Sequence, residues 1–127
     1  MPPSCASRRR AERVRRRSSA AQACVDAIEG LNGSDRAVAE LLHVIVAEEA
    51  AHLDAKTWYS FPSYARDGKV VVFFQPKSKF DTRYGSIGFT EDALLDDGVV
   101  WPTSFAVVEV TDAVDKQLRA LVKKAAS

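Results

Sequence analysis

Trp58-Tyr59-Ser60-Phe61-Pro62-Ser63-Tyr64-Ala65-Arg66-Asp67-Gly68-Lys69-Val70-Val71-Val72-Phe73-Phe74-Gln75 holds two aromatic clusters, a turn signal and an apolar run in close succession. Asp67-Gly68 has the chemistry of a tight hairpin turn, because glycine accepts the left-handed backbone such turns require. It predicts a short aromatic strand over Thr57–Phe61, limited by Pro62, and a second strand over Lys69–Gln75, ended by Pro76. Val70 to Phe74 is apolar at every position, so neither face of that strand is polar. Such a strand is expected to be covered on both sides, which locates the core of the domain here.

Upstream the periodicity changes from two to that of a helix. Ala23, Cys24, Ala27, Ile28 and Leu31 recur at helical spacing from Ser19 onward, and Gly30 with Asn32-Gly33 ends the run. Ser34 is placed to cap a second helix, with Asp35 in its first turn complementing the helix dipole. Its apolar stripe is Val38, Leu41, Leu42, Ile45, Val46 and Ala50, with Leu53 at the end and Glu40, His43 and Glu48 off the stripe.

Downstream, Lys77-Ser78-Lys79 reads as a polar connection and Tyr84–Phe89 as a third strand. Thr90 with Glu91 and Asp92 predicts a short helix through Leu95, closed near Gly98, before a strand over Phe105–Val110. Thr111 and Asp112 cap a last helix whose stripe is Val114, Leu118, Leu121 and Val122. The order α-α-β-β-β-α-β-α, with hairpin-linked strands and segregated helices, predicts a two-layer α+β fold: an antiparallel sheet covered by helices.

The chain has 127 residues, enough for one domain with a real core. That domain is expected over residues 19–127, with residues 1–18 as an Arg-rich flexible tail. No apolar run approaches the ~18 residues that cross a bilayer, and no apolar leader is present, so a cytoplasmic location is expected. Cys5 and Cys24 read as free thiols of a reducing compartment. The formal charge of +1 conceals an asymmetry. Arg8, Arg9, Arg10, Arg13, Arg15, Arg16 and Arg17 face the single acid Glu12, whereas the rest of the chain carries 11 basic and 16 acidic residues. A basic segment of this kind can condense on phosphates, yet it holds no aromatic residue to stack on bases.

Two sets of residues have chemistry to offer. Tyr59, Tyr64, Lys79, Arg83 and Tyr84, with Trp58 and Trp101 near them in the pattern, would suit an anionic or planar small molecule through polar-tipped rings and cations. The competing reading places Trp58, Phe61, Phe73, Phe89 and Trp101 in the core. Glu48 and His52, at i and i+4 on one helix face with Glu49 and Asp54 nearby, offer hard oxygen and imidazole ligands for a weak metal site. Asp92, Asp96 and Asp97 are a second acidic cluster, equally explained by capping. Neither histidine has a nucleophile partner in a recognisable context, and no phosphate loop, dinucleotide fingerprint or zinc spacing occurs, so the chain is expected to be non-enzymatic.

Several motifs occur together: Tyr59-x-Phe61-Pro62-x-Tyr64, Gly68-Lys69-Val70-Val71, Phe73-Phe74-Gln75, Lys79-Phe80-x-Thr82-Arg83-Tyr84, Gly88-Phe89 and Leu95-Asp96-Asp97-Gly98-x-x-Trp101-Pro102-Thr103-Ser104-Phe105. Over about residues 23–126 the chain resembles the YdhG-like family of small bacterial proteins, leaving the Arg-rich segment outside. Phe61 departs from the family pattern, which has Met before the Pro, and keeps the site apolar. The resemblance implies a two-layer fold with an antiparallel sheet. It also implies a role like that of a frataxin-type intracellular iron chaperone, with iron as cargo, although the motif residues contain no metal-ligand set. The alternative from another class is a structural or interaction protein. That protein would be a homodimer, or would use its arginines to hold nucleic acid or another acidic partner.

Overall fold

The computed structural model describes residues 5–127. Residues 1–4 of the expected tail and the thiol of Cys5 lie outside that description. The elements are α1 (Cys5–Glu29), α2 (Gly33–Glu49), β1 (Asp54–Trp58), β2 (Phe61–Arg66), β3 (Lys69–Gln75), α3 (Lys77–Phe80), β4 (Gly85–Phe89), β5 (Ser104–Val107) and α4 (Asp112–Ala125). The five strands form one antiparallel meander in chain order. The fold is α+β, as the sequence predicts.

Strand alternation decides which residues go where. Tyr64 pairs with Val72 and Val72 with Phe89, while Phe74 pairs with Ile87 and Ile87 with Phe105. These residues share a face, and the helices cover it. Tyr64, Val72, Phe74 and Ile87 are buried there with Cys24 of α1, Val38, Leu42 and Ile45 of α2, and Leu118 and Val122 of α4. Each fully buried large apolar side chain adds roughly 1.5–3 kcal/mol of transfer free energy. The helices are pinned by their ends as well as by their stripes. Thr111 Oγ1 accepts from the N–H of Val114 at 3.2 Å, and Lys123 and Lys124 occupy the last turn of α4.

Several elements differ from the sequence reading. Helix α1 begins at Cys5, so the arginines up to Arg17 lie on its exposed first turns. At the start of α2 the cap is Asn32, without a side-chain hydrogen bond, in place of Ser34. The short helix is α3, formed by the expected polar connection. Residues 90–98 are not helical: Thr90 is instead tied to β3, its N–H donating to Val71 O at 3.1 Å and its hydroxyl to Val70 O. Strand β5 is shorter than expected and leaves Val108 and Val110 exposed.

The largest difference lies at Tyr59-Ser60. The expected strand over Thr57–Phe61 is divided by a two-residue turn, with Trp58 pairing Phe61 across it. Tyr59 at φ 51° and Ser60 at φ 68° are both left-handed without being glycine. The following turn, Asp67 at φ 50° and Gly68 at φ 83°, has the same hand with a glycine in it. Primed hairpin turns need this geometry because it matches the right-handed strand twist. Pro62 then sits inside β2 opposite Thr57. The pair flanking a two-residue turn exchanges both ladder bonds, so the next residue directs its nitrogen away from β1 and a missing N–H costs that ladder nothing.

The expected cover on the second side of β3 also takes another form. Among the described residues no long helix packs there. Trp58, Phe61, Phe73 and Phe80 shield one another, with α3 at their border. Gly88 makes room for this cluster, because a Cβ at that position would stand 2.4 Å from the Phe73 ring.

Gly88→Ala is expected to destabilise the fold by about 1–3 kcal/mol, as overpacking does. Chemical denaturation of this variant, alone and with Phe73→Leu, checks it: the second change should recover part of the loss, and an unshifted midpoint would refute the contact. Ser60→Gly is expected to stabilise by about 0.5–1 kcal/mol in the same assay, because the left-handed strain outweighs the entropy that glycine adds to the unfolded chain.

Candidate functional site

The sheet face opposite α1, α2 and α4 carries a groove of about 530 Å³ lined by Trp58, Tyr59, Ser60, Phe61, Phe73, Gln75, Lys79 and Phe80. Three elements build it. The β1–β2 hairpin brings Trp58 beside Phe61, with ring centroids 6.0 Å apart. From β3, Phe73 meets Trp58 edge-on at 5.2 Å and Phe61 at 5.6 Å. From α3, Phe80 closes on Phe61 at 5.9 Å. Edge-to-face contacts at these separations hold rings in fixed orientations.

Helix α3 is too short to hold itself in place. It is fixed by Asp35, buried in the first turn of α2, whose two carboxylate oxygens accept from the N–H of Lys77 at 3.0 Å and of Ser78 at 3.2 Å. A buried carboxylate accepting two backbone N–H bonds is well satisfied and costly to remove. Asp35 thereby sets Lys79 and Phe80 against the groove. Lys79 Nζ donates to Ser60 O at 2.6 Å, tying α3 to the strained turn.

The sequence-derived candidates divide across the sheet. Tyr59, 77% exposed on the groove rim, and Lys79 come together there. Tyr64 does not join them, since it lies an odd number of residues from Phe61 and so faces the helices. Its hydroxyl is 3.0 Å from Nδ1 of His43 and accepts from the Cys24 thiol at 3.9 Å. Arg83 lies over its own neighbour, 5.7 Å from the Tyr84 ring centroid, and neither residue lines the groove. Of the aromatic residues, Phe89 is in the main core and Trp101 packs against it, whereas Trp58, Phe61 and Phe73 form the separate outer cluster. The sequence assigns Phe80 and Gln75 to motifs but to no site, and gives Asp35 a helix-dipole role only. Only the shared parity of Phe73 and Gln75 on β3 hinted at part of this.

The metal candidates have other partners. Arg119 binds Glu48 at 2.5 Å, Asp115 at 2.6 Å and Glu49 at 3.5 Å, and hydrogen bonds to Glu48 and Asp115 hold its guanidinium more basic than usual. His52 Nε2 is 2.8 Å from the carbonyl oxygen of Ala126, and Asp54 is 3.7 Å from Arg17. Among the described residues no group of three or more His, Cys, Asp or Glu could hold a metal ion. A larger cavity of about 630 Å³ lies between Trp101, Val99, Val100 and the acids Glu91 and Asp96. Its charged lining is anionic, and its two valines stand on a loop. No described helix is long and apolar enough to cross a membrane.

Cys24, Tyr64 and His43 form a chain that leaves each group satisfied if Tyr64 accepts from the thiol and donates to Nδ1 of a neutral His43. Burial pushes the Cys24 thiol and the Tyr64 hydroxyl up and His43 down. The thiol is therefore an inert core group. Protonating His43 would put a proton on the nitrogen that accepts from Tyr64. The unfolded chain takes up that proton near the ordinary value of 6.5, and the folded chain resists it. This contribution to stability is therefore full above pH 6.5 and declines as pH falls below it. Thermal melts across that range should show the decline, and His43→Gln should flatten it; an equal slope in the variant would exclude His43 as its source.

Comparison with family models, with curated proteins and with solved structures finds no match to this chain.

Proposed function

We propose that the chain is a non-enzymatic binding module of the YdhG-like type, and that the groove on the sheet face opposite α1, α2 and α4 receives a planar, anionic ligand. The observation that carries this reading is the placement of Lys79 and the exposed Tyr59 on the rim of an oriented ring cluster. Aromatic rings left half in water on a surface otherwise free of cover are material for recognition, since folding alone would favour burying them. A planar molecule stacks on the rings, and the ammonium of Lys79 answers its charge. No group in the groove is a general base beside a nucleophile, which fits binding better than catalysis.

The iron-handling version of the reading rests on the resemblance. The groove offers only Tyr59 and Lys79 as ionisable groups, and Glu48 and His52 are engaged elsewhere. For an interaction protein that joins copies of itself, Val99 and Val100 are the most exposed large apolar residues on offer.

A nucleoside monophosphate titrated into the Trp101→Phe chain, where Trp58 is the sole indole, tests the groove. Quenching of Trp58 is expected, with Tyr59→Ala weakening binding about three- to tenfold for one lost stacking partner. Unchanged fluorescence at millimolar ligand would remove the proposal.

A further inference from the structure

The arginines of α1 and the aromatic groove both reach strand β1, the first at Lys56 and the second at Trp58. Arg9, Arg13, Arg16 and Arg17 follow each other at helical spacing, and the same stripe continues through Ala20 to Cys24, which is fully buried against the sheet. The side of α1 that packs on the domain in its second half is therefore arginine in its first half, where every residue from Arg8 to Ser19 is exposed. Arg17 stands 3.7 Å from Asp54 in an exposed, weak pair that offsets part of that acid's charge. Beside it, Arg16, Arg17 and Lys56, outnumbering the acids Asp54 and Asp67, line a shallow depression of about 430 Å³. Lys56 alternates onto the same face of β1 as Trp58, so it stands between the arginines and the rings.

We propose that this surface binds single-stranded nucleic acid, with bases stacked in the groove and the phosphate backbone led past Lys56 onto the arginine face of α1. The inference rests on the groove being a site for planar anions. Charge complementarity selects the occupant. Glu12, within a weak pair with Arg16 at 3.8 Å, is the only acid among residues 8–19. The acids Glu91, Asp92, Asp96 and Asp97 sit in the connection between β4 and β5, on the opposite side of the sheet from β1. A polyanion is attracted to one edge of the sheet and repelled by the other. A lone planar anion would use Lys79 and leave the arginine stripe without a role. A base-paired duplex hides the base faces that the rings would stack on.

The test is fluorescence anisotropy of a labelled thymidine octanucleotide with the full chain, beside the same nucleoside monophosphate used for the groove. The octanucleotide is expected to bind at least tenfold more tightly than the monophosphate and than a duplex of equal length. Tyr59→Ala should weaken it about three- to tenfold, as one lost stacked base contact. The triple variant Arg9→Ala, Arg13→Ala, Arg16→Ala keeps good helix formers in α1 and the Arg17–Asp54 contact. It should lower the slope of log affinity against log salt by about 2, three contacts at about 0.7 each, and leave monophosphate binding unchanged. Monophosphate binding without tighter octanucleotide binding overturns this inference and keeps the groove. Octanucleotide binding that ignores Tyr59→Ala, or is matched by the duplex, also overturns it, since the arginines alone would then hold the strand. If neither ligand binds, both readings fall.

Discussion

Phe74, Tyr64 and Ile87 come from three neighbouring strands and point to one side of the sheet, and helices α1, α2 and α4 take that side out of water. The helices cover one face only, and most of the molecule follows from that. The buried face holds the apolar stripes of the helices and the satisfied chain of Cys24, Tyr64 and His43. The other face must manage Trp58, Phe61 and Phe73 without a second layer. It does so by packing rings on rings over the bare backbone of Gly88. Ring packing shields these side chains less completely than a helix would, and a groove remains.

Placing α3 at that groove is the work of one buried charge. Asp35 belongs to α2 and reaches α3 across 42 residues of sequence to accept two backbone N–H groups. The carboxylate is satisfied by the bonds that fix the segment, so burial of the charge and ordering of α3 support each other. Lys79 continues the chain of support to the carbonyl of Ser60, in a turn whose two residues are strained. The surrounding structure holds that strain, and the turn leaves Tyr59 in solvent beside the rings.

The two hairpins show what can be read from a sequence and what cannot. Asp67-Gly68 announces its turn because glycine is the residue that left-handed backbone favours. Tyr59-Ser60 makes the same kind of turn with residues that announce nothing, and Pro62 after it argues against a strand. Sequence reasoning therefore ran one strand where the chain forms the end of one and the start of another. The error moved parity along with the boundary, and Tyr64 was grouped with Tyr59 although alternation sends it to the helices. Arg83 and Tyr84 were likewise grouped by nearness in sequence, yet they pair with each other away from the rings. Lys79 was found because its charge and place beside an aromatic residue are local properties.

By itself the sequence determined the fold class, the buried stripes of α1, α2 and α4, the Asp67-Gly68 turn and the charge asymmetry between the two parts of the chain, but not that α1 runs back to Cys5 through the arginines. Each of these depends on periodicity, turn chemistry or composition within a short window, where neighbours along the chain are neighbours in space. Only the tertiary structure decided which face of the sheet stays open, that Asp35 holds α3, that Glu48 and His52 are engaged by Arg119 and by the Ala126 carbonyl, and that the arginine stripe of α1 adjoins Lys56. These are relations between residues far apart in sequence. They exist because burial of one apolar face forces distant segments into contact, and no local pattern encodes which side chains will meet there.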